Sequence, residues 1–210
     1  MRNLPKQLQN WLILWLDSNG KDLSWNQNNW TLVNAPTKVR VLQNDGLSYN
    51  GSNQYVNCPS INNSNFTISI WASLTSLSTQ YAIFSKYYIW TDAQTSWFID
   101  TYLSNTFRLW INSWWVFYTT SLTFAPIINK LYLLTGTYDW TTLKLYINWN
   151  FNNSVSSPAP NISTTPIFVG AFSWTSPWAY APMKWLNPMI WNRALSATEI
   201  QQLYYSQWIK

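Results

Sequence analysis

Short runs of β-branched and aromatic residues alternate with Asn/Ser/Thr/Pro breaks from one end of the chain to the other. Inside the runs the clearest period is two. Phe66-Thr67-Ile68-Ser69-Ile70-Trp71 and Leu143-Lys144-Leu145-Tyr146-Ile147 each put an apolar set on one face and a more polar set on the other, as in an antiparallel sheet with one wet side. The pattern predicts strands over Leu12–Asp17, Thr31–Asn34, Leu47–Tyr49, Tyr55–Cys58, Phe66–Ser73, Tyr81–Lys86 and Trp97–Leu103. It predicts further strands over Phe107–Ile111, Val116–Thr119, Lys130–Tyr138, Thr142–Asn148, Ile167–Phe172 and Lys184–Trp191. About a dozen short strands at this spacing predict an all-β sandwich or barrel. One helix stands out: Ser196-Ala197-Thr198-Glu199 is a capping box, and Ile200, Leu203 and Tyr204 follow at helical spacing. Ser154–Pro166 reads as one loop, and no internal repeat interrupts the pattern, so residues 1–210 are expected to form one domain.

Charge removes several classes of chemistry. The 210 residues hold 12 Lys and Arg, seven Asp and Glu and no His, for a net charge of +5. Without His, nucleophilic triads lack their usual base. One Cys excludes an intrachain disulfide and a Cys-based zinc site. The cations are scattered rather than clustered, so no nucleic-acid footprint is expected. No apolar run reaches the roughly 18 residues of a membrane span, and the LILWL stretch near the start is shorter than a secretory h-region.

The 17 Trp and five Gly are inverted relative to ordinary usage, in which glycine at about 7% would number roughly 15. Asp139-Trp140 and Asn148-Trp149 sit between strand-like runs, where Asp-Gly or Asn-Gly would make a type I′ hairpin. Trp114-Trp115 falls in a similar break. A bulky residue in the left-handed region costs about 1–2 kcal/mol, because its Cβ meets the next carbonyl. A gene that uses UGA for glycine, read with a table that assigns it to Trp, would produce this pattern. Twelve positions are expected to be such glycines: Trp11, Trp25, Trp30, Trp90, Trp110, Trp114, Trp115, Trp140, Trp149, Trp174, Trp178 and Trp185. Trp15, Trp71, Trp97 and Trp191 lie within strand patterns and read as tryptophan proper.

Ordered blocks of sequence carry a resemblance. They are Leu12-Ile13-Leu14-Trp15-Leu16-Asp17, Asp22-Leu23-Ser24-Trp25-Asn26-Gln27-Asn28-Asn29-Trp30-Thr31-Leu32 and Gly46-Leu47-Ser48-Tyr49-Asn50-Gly51-Ser52. Phe66–Trp71, Thr135–Trp149 and Ile190-Trp191-Asn192-Arg193-Ala194-Leu195-Ser196-Ala197-Thr198-Glu199-Ile200 continue the series. Together they resemble laminin G-like domains of the concanavalin A-like lectin/glucanase superfamily, whose glycines fall on Trp25, Trp30, Trp140, Trp149 and Trp185. The resemblance implies a two-sheet antiparallel jelly-roll sandwich with a short C-terminal helix. It also implies a non-catalytic carbohydrate-binding or adhesion module, part of a larger extracellular, cell-surface or virion protein, with a glycan or surface polymer as partner. The same fold also hosts spacers without a small ligand and glycoside hydrolases.

The hydrolase reading needs two carboxylates facing each other across the scissile bond. The only Glu, Glu199, belongs to the capping box, and no two of the six Asp lie within four residues of each other. No enzyme activity is therefore expected. Many members of the resembled family hold a structural Ca²⁺, which implies Asp17 and Asp22 as ligands, with Asn187 standing where relatives carry an acid. For the glycan, the loop over residues 90–96 and its flanks supply the candidate ligand-binding residues Tyr87, Tyr88, Asp92 and Trp97, since recognition sits on loops in such folds.

Overall fold

A computed structural model describes residues 4–87, 97–102, 106–120, 124–172 and 177–208. In chain order the elements are α1 (Lys6–Gln9), β1 (Leu12–Trp15), β2 (Thr31–Val33), β3 (Thr37–Val41), β4 (Asn44–Ser48), β5 (Tyr55–Cys58), β6 (Phe66–Leu74) and β7 (Tyr81–Lys86). They continue with β8 (Trp97–Tyr102), β9 (Thr106–Ser113), β10 (Val116–Thr119), β11 (Tyr132–Tyr138), β12 (Thr142–Ile147), β13 (Asn150–Ser156), β14 (Ile167–Val169), β15 (Met183–Trp191) and α2 (Ala197–Trp208). Among the described residues the strands form two antiparallel sheets. One has eight strands, ordered β13-β12-β11-β6-β15-β4-β3 with β1 beside β15; the other has seven, ordered β10-β9-β8-β7-β14-β5-β2. This is the two-sheet sandwich expected, with its C-terminal helix.

The main core lies between the sheets, built from Ile68, Ile70, Leu134 and Leu145 of one and Ile83, Ile99, Leu109 and Val169 of the other. The outer face of the eight-stranded sheet is not wet. Leu8 of α1 and Ile200 and Leu203 of α2 close over it, joining Trp15, Trp71 and Trp191 in a second cluster. Polar residues of β6 are consequently buried and hydrogen-bonded: Thr67 Oγ1 donates to the Arg193 carbonyl and Ser69 pairs with Thr135. The indoles of Trp71 and Trp191 donate to Gln207 Oε1 and the Leu8 carbonyl. One broad face of the sandwich therefore has helices across it.

The capping box forms as expected: the Glu199 amide donates to Ser196 Oγ, and the Ser196 amide donates to Glu199 Oε2. Arg193 clamps the same carboxylate with two hydrogen bonds of 2.6 and 2.9 Å, which holds it well below its usual range, at about 2.

The expected glycine positions divide in two. Trp11, Trp114, Trp115, Trp140 and Trp149 have left-handed φ of 64, 49, 73, 78 and 66°. The Asn148-Trp149 pair, both left-handed, makes a type I′ hairpin between β12 and β13, and Trp114-Trp115 makes another between β9 and β10. In the β11–β12 turn only Trp140 is left-handed, at the first central position, so that turn has the II′ pattern rather than the expected I′. Trp25, Trp30, Trp110, Trp178 and Trp185 have no left-handed φ. Trp185 is 1% exposed and packs between Trp30 and Tyr49 in the main core, so neither Trp185 nor Trp30 has a conformational reason to be glycine. Trp90 and Trp174 lie outside the described residues.

Candidate functional site

Strands β8 and β9 pair so that Phe98 faces Trp110 and Asp100 faces Arg108. On these strands Trp97, Ile99, Phe107, Leu109 and Ile111 point into the main core. Strand alternation then sends Phe98, Asp100, Arg108 and Trp110 to the outer side. Phe98 and Trp110 stack with centroids 5.5 Å apart and planes 20° apart, and Phe117 of β10 meets Trp110 edge-on. Tyr87, at the end of β7, packs on Phe98 and Phe172, and Phe172 in turn on Trp178. These rings, with Gln80, line a groove of about 250 Å³. Such a volume is small beside the roughly 300–1,000 Å³ of typical ligand pockets.

An ion pair forms the polar part of the groove. Arg108 donates from Nε to Asp100 Oδ1 at 3.1 Å and from Nη2 to Oδ2 at 2.6 Å. Gln80 Nε2 and Trp110 Nε1 donate to the same carboxylate at 2.6 and 3.3 Å. The guanidinium also lies 4.4 Å above the Trp110 ring. Asp100 is fully buried, and burial pushes its carboxyl up to about 6 against the pull of Arg108, Gln80 and Trp110. Truncating one partner of such a pair is costly, because it strands a buried charge. The indole N–H of Trp178 is buried and has no acceptor among the described residues, a penalty of about 1–3 kcal/mol.

Of the residues expected to bind ligand, Tyr87 lines this groove, and Tyr88 and Asp92 lie outside the described residues. Trp97 is in the core between Phe66 and Phe84, on the inward phase of β8, and that orientation removes it from any binding role. Arg108, Asp100 and Gln80 were not anticipated. The available signal was two opposite charges in the middle of otherwise apolar strand patterns.

The residues expected to hold calcium do not fit it. Both oxygens of Asp22 are occupied, Oδ1 by the amides of Trp15 and Ser24 and Oδ2 by the Ser24 hydroxyl and the Asn28 amide. Asp17 Oδ1 accepts from the amides of Asn19 and Lys21, and Asn187 Oδ1 accepts from the Trp15 indole. Calcium takes six to eight oxygens, whereas these serve as turn caps. Among the described residues no three Asp, Glu, His or Cys cluster together.

Residues 50–201 match the family model described as the concanavalin A-like lectin/glucanases superfamily. The chain belongs to this laminin G-like family. Comparison with curated protein sequences gives no match. Among solved structures, the binding domain of Paraclostridial Mosquitocidal Protein 1 superposes with a TM-score of 0.77 at 20% identity, over 95% of this chain and 53% of that one. Domain 4 of AbnA, a GH43 extracellular arabinanase from Geobacillus stearothermophilus solved with arabinotriose, gives 0.76 at 15% identity, over 92% and 98%. A botulinum neurotoxin type C structure, reported for cell entry dependent upon two ganglioside molecules, gives 0.74 at 16%, over 96% and 52%. The chain thus spans about half the length of the two toxin structures and nearly all of the arabinanase domain. At these identities the likeness is one of fold. Among the described residues no helix is long and apolar enough to cross a membrane.

Proposed function

We propose that this chain is a non-catalytic carbohydrate-binding module of an extracellular or surface-associated protein, and that it binds sugar in the groove on the outer face of the seven-stranded sheet. The observation that carries the reading is the pairing of an aromatic cluster, Phe98 stacked on Trp110 with Phe117 edge-on, with a buried Asp100–Arg108 pair and the Gln80 amide. Aromatic faces pack on the apolar faces of sugar rings, and fixed donors and acceptors select hydroxyls. The arabinanase domain, solved with a trisaccharide and matched over almost its full length, supports the same use of the fold.

The carboxylates support binding rather than hydrolysis. A glycosidase needs two across the bond, about 5–5.5 or 6.5–9.5 Å apart. Among the described residues lining or supporting the groove only Asp100 is acidic, and both its oxygens are engaged by Arg108. Retention of the whole chain on immobilised neutral and acidic polysaccharides tests the proposal. Retention that Trp110→Ala and Phe117→Ala each weaken supports it. No retention on any polysaccharide would identify a spacer instead.

A further inference from the structure

We infer that the groove takes a neutral sugar chain of at least two units running across the strands, rather than a single terminal sugar. The inference rests on the carbohydrate reading above. A second cavity of about 410 Å³ adjoins the first and shares Gln80 and Trp178 with it; Gly51, Thr79, Tyr81, Ala179 and Tyr180 contribute the rest of its wall. Gln80 and Trp178 therefore stand between two compartments of one groove. The Trp178 side chain lines both.

The aromatic strip continues in the same direction. Tyr180 approaches Tyr55 of β5 at 6.1 Å, and Tyr55 stacks on Phe168 of β14 at 4.7 Å. From Trp110 on β9 to Tyr55 on β5 the strip crosses four strand intervals. At ~4.8 Å each these give roughly 19 Å, well beyond one sugar ring. Successive platforms at intervals along a groove suit successive rings of a chain.

Charge selects the class of chain. The protein carries +5 overall, which by itself would favour an acidic polymer. Among the described residues lining the two compartments, however, the only Lys or Arg is Arg108, and its charge is matched by Asp100 at 2.6 Å. Thr79, Gln80 and the tyrosines supply uncharged hydrogen-bonding groups, the complement of hydroxyls rather than carboxylates.

The test is calorimetric titration of the whole chain with arabino-, xylo- and cello-oligosaccharides of one to five units and with a matching galacturonate series. In at least one neutral series, affinity is expected to rise about tenfold or more from one unit to three. Tyr180→Ala and Thr79→Val, each checked for an unchanged melting transition, should cut that gain to about twofold or less. Equal affinity for one unit and three would overturn the inference while leaving the carbohydrate reading standing. Preference for galacturonate over every neutral series would overturn the neutral assignment. No binding to any sugar would overturn the carbohydrate reading itself, and the inference with it.

Discussion

Replacing Trp114, Trp115 and Trp140 together by glycine is expected to stabilise the protein, the reverse of what Trp→Gly changes ordinarily do. All three have left-handed φ, at 49, 73 and 78°, where a side chain costs about 1–2 kcal/mol. The three residues are 84, 64 and 56% exposed, so little burial is lost on removing their side chains. Against the relieved strain stands the greater freedom of glycine in the unfolded chain, about 0.5–1 kcal/mol per site. The balance is a gain near 0.5–1 kcal/mol at each position, about 2 kcal/mol for the triple variant. That is a rise in Tm of roughly 4–8 °C for a chain of this length. Trp149→Gly is expected to destabilise instead, by up to about 2 kcal/mol, because Trp149 also packs on Tyr204 and Tyr205, contacts worth about 0.5–1.5 kcal/mol each. Two controls bound the effect. Trp25 is 84% exposed without a left-handed φ and should gain nothing, while Trp71→Gly in the buried cluster should cost at least about 3–5 kcal/mol. Urea titration measures all four variants. A triple variant no more stable than Trp25→Gly would refute the reasoning. The same reasoning expects UGA codons at Trp114, Trp115 and Trp140 and UGG at Trp71 and Trp191, which the gene sequence decides.

The ion pair and the cap make further predictions. Asp100→Ala strands the buried Arg108 guanidinium and should cost about 3–5 kcal/mol, with Asp100→Ala/Arg108→Met recovering much of the loss in denaturant titrations. The Asp100 carboxyl is raised from 3.8 to about 6, so its contribution to stability is present below about pH 4 and is lost as pH rises through 6. Sugar affinity should move the other way, falling as pH drops through about 6 and the carboxylate that orients Arg108 is neutralised; calorimetry at pH 5 and 7.5 reads this. Glu199 has the opposite sign. Lowered from 4.5 to about 2, it contributes stability above pH 4.5 that is lost as pH falls toward 2. Glu199→Gln should therefore cost about 1–2 kcal/mol at pH 7 and almost nothing at pH 2, as compared by urea titration at the two pH values.

The strands legible in the sequence are those with a core face. Tyr55–Cys58 and Tyr81–Lys86 run as their patterns predict, between polar breaks. The two strands the pattern missed, β3 and β13, lie at opposite edges of the eight-stranded sheet and are largely exposed. Neither packs its full length on the core, so neither shows apolar alternation, and Asn150–Ser156 merged into the loop that follows it. The site was harder to read for a different reason. Tyr87 was visible beside a loop, but Gln80, Phe172 and Trp178 reach the groove from segments that only the tertiary fold brings together. Trp110 and Trp178 were hidden by the excess of tryptophan, which marked them as turn glycines. Backbone conformation separates them from Trp114, Trp115 and Trp140, and composition could not. The calcium expectation rested on sequence context alone, and a carboxylate that caps a turn shares that context with one that binds a cation.

The most direct test is a crystal structure of the protein with the neutral oligosaccharide that binds best in the titrations. Sugar rings should lie over Trp110 and Phe117 and continue past Gln80 and Trp178 toward Tyr180. Sugar bound instead beside Asp17 and Asp22, or on the helix-covered face of the eight-stranded sheet, would contradict the assignment of the groove.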